Sequence, residues 1–431
     1  MKLGKKLSIG ARALQVVGAG LLFLLLLAPG ARADQAPFPF RDGDRVVFLG
    51  DSITEQRLYT TFLETYLLTR FPNWKLRFRN AGWGGDTSWL QTRGIPPEQA
   101  LDRDVLFFKP TVVTIDFSMN DAGYGAFRQD LYDRHVNGMR DIVRWLKRGG
   151  VRPVVLTTSA DENQKTGPIL SNYNLVLERF AEGDRQVAKE ANAAFADQLH
   201  PFFNAIDLIR STDPKARVSG DAIHPGPAGH LLMADAVLKA LNAPRLVSSA
   251  TLSVDSKARA QETRNCKVTG VQFRDGVLSF DRQDEALPFP IHPEAMPILR
   301  LVPVVQDLDD YSLTVKGLEP GSYRVAVDGI TLTTVTSDVL ASGLNLALLA
   351  GPLTDPAQRV MAKVFEKNNL YFERWRAVQL GSSFPDPKGE GAEERRQARL
   401  KELDDRVASL EAEIDGLRKP RLHHFEISRA Q

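Results

Sequence analysis

The feature that most constrains the fold is a regular alternation of strand-like and helix-like segments from Arg45 to about Asn242. Short apolar runs such as RVVFLG, TVVTIDFS and VRPVVLTTS are typical of buried strands, and longer segments with apolar residues at helical spacing separate them. This order predicts right-handed crossovers and a mostly parallel sheet that helices cover on both faces. Ligands of such sheets bind at the carboxyl ends of the strands, so catalytic or binding residues are expected there.

The first 33 residues differ from the rest of the chain. A basic start precedes an apolar stretch that is densest from Val16 to Ala28, and small residues ending in ARA follow. This order indicates a secretory signal peptide (1–33), and we expect cleavage after Ala33 and a secreted or periplasmic protein without stable membrane insertion. The alternative is a retained anchor, although the uncharged run is shorter than the roughly 20 residues of a spanning helix.

Cleavage would remove five basic residues and no acidic ones, so the formal net charge would change from +2 to −3. A mildly acidic exported protein has no electrostatic basis for binding nucleic acid. No nucleic-acid partner is therefore expected, and the sequence does not specify the oligomeric state.

We expect three regions after the signal: an α/β domain (34–246), a small antiparallel β domain (247–350) and a helical carboxy-terminal region (351–431). The β domain is predicted from short alternating runs with Pro-Gly and Asp-Gly turns, and it could serve as a packing module or as a sugar-binding module. The helical region contains a short heptad pattern, which suits either a helix packed on the body or an oligomerisation zipper. The residues of this pattern are Leu400, Leu403, Val407, Leu410, Ile414 and Leu417.

Ser52 follows the first predicted strand, in VVFLGDSITEQ. A serine at this point could cap a following helix or act as a nucleophile. Near the end of the α/β domain, in DAIHPGPAGH, Asp221 precedes His224 by three residues. That spacing lets the carboxylate reach Nδ1 of the imidazole and leave Nε2 free to act as a base.

Two further predicted strand ends carry groups suited to stabilising an oxyanion. Gly84 and Gly85, in NAGWGGDTS, allow the backbone to approach a ligand and point an N–H at it. Asn120, in IDFSMND, offers a side-chain amide donor. Each segment alone could equally be a turn, so their joint placement carries the hypothesis.

With these four segments in place, the sequence resembles the SGNH (GDSL-type) hydrolase family over about residues 42–242. The family's fold is a three-layer α/β/α sandwich around a parallel sheet. The resemblance implies that Ser52 is the nucleophile, His224 the general base and Asp221 its orienting acid. It also implies an oxyanion hole formed by the Ser52 and Gly85 backbone N–H groups and the Asn120 amide, with no metal and no cofactor.

Two departures from the family pattern stand out: Ile53 replaces a leucine, and Ser118 stands where the third block usually has glycine. The second change bears on the backbone of the loop that carries Asn120. Beside the glycines, Trp83 could stack on a sugar ring as a substrate contact or simply pack in the core.

These observations predict an exported serine esterase that hydrolyses acyl esters, with an acetylated carbohydrate as the favoured substrate. A lipase or lysophospholipase with the same chemistry is the first alternative. The second alternative is a non-catalytic carbohydrate-binding envelope protein that keeps a hydrolase core.

Overall fold

The structure is a computed structural model that describes residues 37–163, 172–255, 257–381 and 390–430. The predicted signal peptide (1–33) lies outside these residues. Among the described helices, none combines the length and the apolar character needed to cross a membrane.

A five-stranded sheet organises the first domain, and all its neighbouring strands are parallel. The strand order is β2-β1-β3-β4-β5. The strands are β1 (Arg45–Gly50), β2 (Arg77–Gly82), β3 (Val112–Asp116), β4 (Arg152–Leu156) and β5 (Ala194–Ala196). The helices between and after them are α1 (Ser52–Glu55), α2 (Leu58–Arg70), α3 (Pro97–Asp104), α4 (Gln129–Arg148), α5 (Tyr173–Glu190), α6 (Leu199–Thr212) and α7 (Pro227–Ala240).

Strand β1 shows why two helical layers form. Val46 and Phe48 point into one hydrophobic core, whereas Val47 and Leu49 point into the other. Successive side chains of a strand alternate between faces, and here both faces are buried, so the strand is apolar throughout. The predicted three-layer α/β/α sandwich is confirmed.

The register places the ends of three strands side by side. Gly50 of β1 is paired with Gly82 of β2 on one side and with Asp116 of β3 on the other. The segments that follow these three residues begin with Asp51, Trp83 and Phe117. The sheet therefore brings three of the four predicted segments to one edge.

The second part of the chain forms two further sheets. One has four strands in the order β13-β10-β6-β7, and the other has five in the order β12-β11-β14-β9-β8. The strands are β6 (Leu246–Ser253), β7 (Arg259–Arg264), β8 (Cys266–Arg274), β9 (Val277–Asp284), β10 (Asp310–Lys316), β11 (Ser322–Val327), β12 (Ile330–Thr336), β13 (Leu344–Asn345) and β14 (Leu422–Arg429). Two short helices, α8 (Val304–Leu308) and α9 (Ser337–Ser342), lie between them along the chain.

Two details differ from the expected antiparallel β domain followed by helices alone. Strand β10 pairs with β6 in parallel, so the four-stranded sheet is mixed. Strand β14, from the end of the chain, lies between β11 and β9 in the other sheet. The last residues of the predicted helical region thus complete the β domain, because their alternating apolar side chains, including Phe425 and Ile427, fill its core.

The carboxy-terminal helices pack on the α/β domain. They are α10 (Asp355–Phe372), a π-helix (Glu373–Gln379) and α11 (Ala392–Leu417). In the heptad pattern, Val407 belongs to a core shared with the central sheet, and Ile414 belongs to the other. On the same helix, Glu411 accepts a hydrogen bond from Arg79 at 2.7 Å. The heptad face is therefore buried within this chain.

Candidate active site

Ser52 is the first residue of α1 and follows the end of β1 by two residues. The helix is capped by Asp51, whose Oδ1 accepts the backbone N–H of Ile53 at 2.9 Å. Capping is thus performed by the neighbouring aspartate, and the Ser52 hydroxyl is directed elsewhere. Burial raises the pKa of Asp51 well above its usual value, and the nearby Asp116 raises it further.

Gly82 explains how α1 lies so close to the sheet. A Cβ atom on Gly82 would lie 2.2 Å from the backbone nitrogen of Glu55. Only glycine permits this approach, which holds α1 against the end of β2.

The structure brings Ser52, His224 and Asp221 together. Ser52 Oγ lies 2.8 Å from Nε2 of His224, and Nδ1 of the same ring lies 2.7 Å from Oδ2 of Asp221. Such spacing lets the imidazole accept the serine proton while the carboxylate fixes its tautomer. Serine and histidine are 172 residues apart in the chain, so this contact depends entirely on the fold.

The Asp221 carboxylate is held by its own backbone turn. Its Oδ1 accepts the N–H of His224 at 2.7 Å and that of Ile223 at 3.0 Å. These bonds, led by the His224 N–H, lower the pKa of Asp221 to about 2. The carboxylate is therefore ionised at any physiological pH. Its side chain is 60% exposed, and contact with water also favours the charged form.

The predicted oxyanion donors lie on the segments that follow β2 and β3. Gly85 is exposed and has φ +71°, a left-handed conformation that suits glycine. Within the described part of the chain, the backbone N–H groups of Ser52 and Gly85 have no protein acceptor. Both are thus free to donate to a ligand.

The Asn120 amide is oriented at both ends. Its Nδ2 donates to the backbone carbonyl of Asp86 at 2.8 Å, and its Oδ1 accepts the hydroxyl of Tyr124 at 2.8 Å. One N–H of the amide therefore remains available after the Asp86 contact. Tyr124 was not predicted from the sequence. It follows Asn120 by four residues in a loop, and a loop has no periodic pattern that would indicate this contact.

A buried ion-pair cluster supports the segment after β2. Arg93 donates to Asp86 Oδ2 at 2.7 Å, to Asp104 Oδ2 at 2.9 Å and to the carbonyl of Ala81 at 3.0 Å. All three charged side chains are fully buried. Because the Asp86 carbonyl also holds Asn120, this cluster ties together the two segments that carry the predicted oxyanion donors. The sequence offered no local signal for Arg93.

Ser118 adopts φ +91°, the conformation that the glycine of the family pattern would adopt easily. Its hydroxyl donates to Asp184 Oδ2 at 2.9 Å, and Asp184 in turn contacts His135 Nε2 at 2.9 Å. Asp121 contacts the other ring nitrogen at 2.7 Å. Burial disfavours the charged imidazolium, but Asp184 and Asp121 outweigh this and raise the pKa of His135 to about 10. Serine at this position thus accepts a strained backbone conformation, and its hydroxyl gains a hydrogen bond within a buried ionic network.

Trp83 is half-buried and already has partners. The guanidinium carbon of Arg376 lies 3.8 Å from its ring centroid, and Trp375 meets it edge to face at 5.9 Å. The core-packing interpretation therefore has direct support, and the predicted sugar contact stays a prediction.

Comparison with known proteins places this domain in a family. Residues 48–232 match the model of the GDSL-like lipase/acylhydrolase family. An acetylxylan esterase from Geobacillus stearothermophilus is 23% identical over 218 residues, which cover 46% of this chain and 93% of that protein. A crystal structure of that esterase is 23% identical over 47% of this chain and 96% of its own, with a TM-score of 0.39.

One structural likeness extends over nearly the whole chain. A gut microbial diltiazem-metabolizing enzyme is 25% identical with a TM-score of 0.76, and the match covers 92% of this chain and 100% of that chain. The fold and the matched segment define a hydrolase of the three-layer α/β class. Residues 48–232 carry the match to the GDSL-like lipase/acylhydrolase family, and this match supports a carboxylic ester hydrolase.

Proposed function

We propose that this protein is an exported serine esterase that removes acyl groups, in the first place acetyl, from carbohydrate. Ser52 is the nucleophile, His224 the general base and Asp221 the residue that orients the imidazole. The observation that carries this proposal is the continuous contact from Ser52 Oγ through the His224 ring to the Asp221 carboxylate, at 2.8 and 2.7 Å.

In the proposed reaction, His224 Nε2 takes the Ser52 proton while Oγ attacks the ester carbonyl carbon. The negative charge that develops on the carbonyl oxygen is met by the N–H groups of Ser52 and Gly85 and by the Asn120 amide. The C–O bond to the alcohol breaks, and the alcohol leaves with the proton from His224. Water, deprotonated by the same imidazole, then hydrolyses the acyl-enzyme and frees Ser52.

Two observations support a carbohydrate ester over a lipid. The acetylxylan esterase relative aligns with this chain over 93% of its own length. The surroundings of the catalytic group are also open and polar: Asp221 is largely exposed, and Tyr124, next to Asn120, is 49% exposed. An open polar rim can admit one acetylated unit of a long polymer, whereas a lipid chain needs a covered apolar groove. Export is supported by the sequence of residues 1–33.

The first experiment measures hydrolysis of p-nitrophenyl acetate by the wild type and by Ser52→Ala. We expect Ser52→Ala to lose at least about 10³-fold in kcat, as removal of a triad nucleophile does. Ser211→Ala, which alters an exposed serine on α6, is the matched control and should keep full activity. Equal rates in the wild type and Ser52→Ala would exclude the assigned nucleophile. Labelling of Ser52 by a fluorophosphonate at an unchanged rate in His224→Ala would exclude the assigned base.

The second experiment addresses the substrate. We expect activity toward p-nitrophenyl esters to fall steeply as the acyl chain grows beyond acetate, and we expect acetate release from acetylated xylan. Activity that rises toward long acyl chains would instead indicate a lipase or lysophospholipase. Acetate release from small esters, with none from acetylated glycans, would contradict the carbohydrate part of the proposal.

A further inference from the structure

Arg376, on the carboxy-terminal π-helix, contacts two of the residues around Ser52. Its Nη1 forms an ion pair with Oε1 of Glu55, and its guanidinium carbon lies 3.8 Å from the centroid of the Trp83 ring. Glu55 is the last residue of α1, the helix that Ser52 begins. Trp83 opens the segment 83–86, here called the oxyanion loop, which contains Gly85. Arg376 therefore joins the helix of the predicted nucleophile to the loop of a predicted oxyanion donor.

The other carboxylate oxygen of Glu55 faces the same loop. A Cβ atom on Gly84 would lie 2.8 Å from Glu55 Oε2, so the carboxylate lies directly against the loop backbone. Glu55 is thus held between Arg376 and the residue that precedes Gly85. A shift of this carboxylate would therefore change the packing of the backbone that leads into Gly85.

Neighbouring contacts fix the π-helix and α10 in the same place. Arg57 donates to Asn369 Oδ1 at 3.2 Å, and its guanidinium carbon lies 4.1 Å from the Phe372 ring centroid. Trp375 is buried and its Nε1 lies 3.3 Å from Oδ1 of Asp104. Asp104 is part of the Arg93 cluster beneath the oxyanion loop, so the carboxy-terminal region supports this loop from two directions.

These contacts involve residues beyond the segment 48–232 that matches the family. The acetylxylan esterase relative aligns with only 46% of this chain although 93% of its own length is used. The π-helix lies outside the matched segment 48–232 of this chain. The bridge is therefore a property of the longer chain.

We propose that Arg376 is a positioning residue for ester hydrolysis, which holds the oxyanion loop in register with Ser52 through Glu55 and Trp83. The carboxy-terminal helices then help to set the geometry of the active site in addition to packing on the α/β domain. Small displacements of an oxyanion donor are costly, since a misplacement of about 1 Å can reduce the rate about 10²-fold. The inference holds for any acyl and alcohol group, because the oxyanion forms in every case.

The test compares two arginines of the same π-helix. Arg376→Ala removes the contacts with Glu55 and Trp83. Arg374→Ala removes instead an ion pair with Asp404 of α11, at 2.8 Å, which does not involve the oxyanion loop. With p-nitrophenyl acetate we expect Arg376→Ala to lower kcat about 10- to 100-fold with KM changed by less than about threefold. Arg374→Ala should keep kcat within about twofold of the wild type. Arg376→Lys retains the charge opposite Glu55 but replaces the guanidinium over Trp83 with a smaller ammonium group, so its kcat should be intermediate.

A double-mutant cycle sharpens the result. If Arg376 acts through Glu55, the losses of Glu55→Gln and Arg376→Ala should be markedly less than multiplicative in kcat. The proposal is overturned if Arg376→Ala keeps kcat within twofold, if Arg374→Ala loses as much, or if KM rises while kcat is unchanged. Should Arg376→Ala fail to fold, Arg376→Lys decides the matter, because wild-type kcat in a folded Lys variant would contradict a bridging guanidinium. Ser52→Ala, inactive under the esterase mechanism itself, separates failure of that mechanism from failure of the bridge.

Discussion

Ser118 offers a sharp test of how the loop that carries Asn120 is held. The residue is buried with φ +91°, and its hydroxyl donates to the buried Asp184 carboxylate at 2.9 Å. Ser118→Ala keeps the left-handed backbone and loses a hydrogen bond to a charged group, which costs about 1.5–3 kcal/mol. Ser118→Gly loses the same bond but relieves about 1–2 kcal/mol of left-handed strain. Glycine also increases the conformational entropy of the unfolded chain, which offsets this gain by about 0.4–1 kcal/mol.

The two substitutions should therefore both destabilise the protein, and Ser118→Gly should do so less, by about 0.5–1 kcal/mol. Urea unfolding at 25 °C, with equal m-values for the variants, measures the difference. Ser88 is the matched control, because it is a buried serine of the same network, bonded to the His135 carbonyl at 3.2 Å, without a positive φ. There the order should reverse, with glycine less stable than alanine. A Ser118→Gly variant no more stable than Ser118→Ala would refute the argument from backbone strain.

Three further outcomes are expected. Tyr124→Phe removes the hydroxyl that holds Asn120 and should lower kcat about 3- to 10-fold, an effect that should vanish when it is measured in an Asn120→Ala background. The pKa of His135 in the folded protein is about 10, above the roughly 6.5 of an unfolded histidine. The stabilisation by protonated His135 is therefore complete below about pH 6.5 and is lost as the pH rises through 10. Between pH 7 and 10 the free energy of unfolding should fall more for the wild type than for His135→Gln. Because the pKa of Asp221 is about 2, its titration should not contribute to the pH–rate profile above pH 4, whereas Asp221→Asn should lower kcat by orders of magnitude at every pH, through the wrong imidazole tautomer of His224.

The alternation of strands and helices was sufficient to predict the first domain. A strand that is apolar at every position must be buried on both faces, and parallel strands must have their carboxyl ends at one edge. These two constraints place the segments that follow β1, β2 and β3 at the same edge of the sheet, and the strand order makes them neighbours. The three-residue spacing between Asp221 and His224 is likewise a local geometry, so the contact between carboxylate and imidazole could be anticipated from the sequence.

Other features were decided only by the tertiary structure. The alternating residues of Leu422–Arg429 are compatible with any sheet edge, and nothing in them specifies a place between β11 and β9. The pairing of Arg376 with Glu55 spans 321 residues, and that of Ser118 with Asp184 spans 66. Charged and polar side chains carry no periodic signal for a distant partner, because the pattern of a sequence records which face of an element is buried and not what it is buried against. The sequence therefore identified the candidate catalytic residues and the local contact between Asp221 and His224. Packing decided that Ser52 meets His224 and which distant side chains support the site.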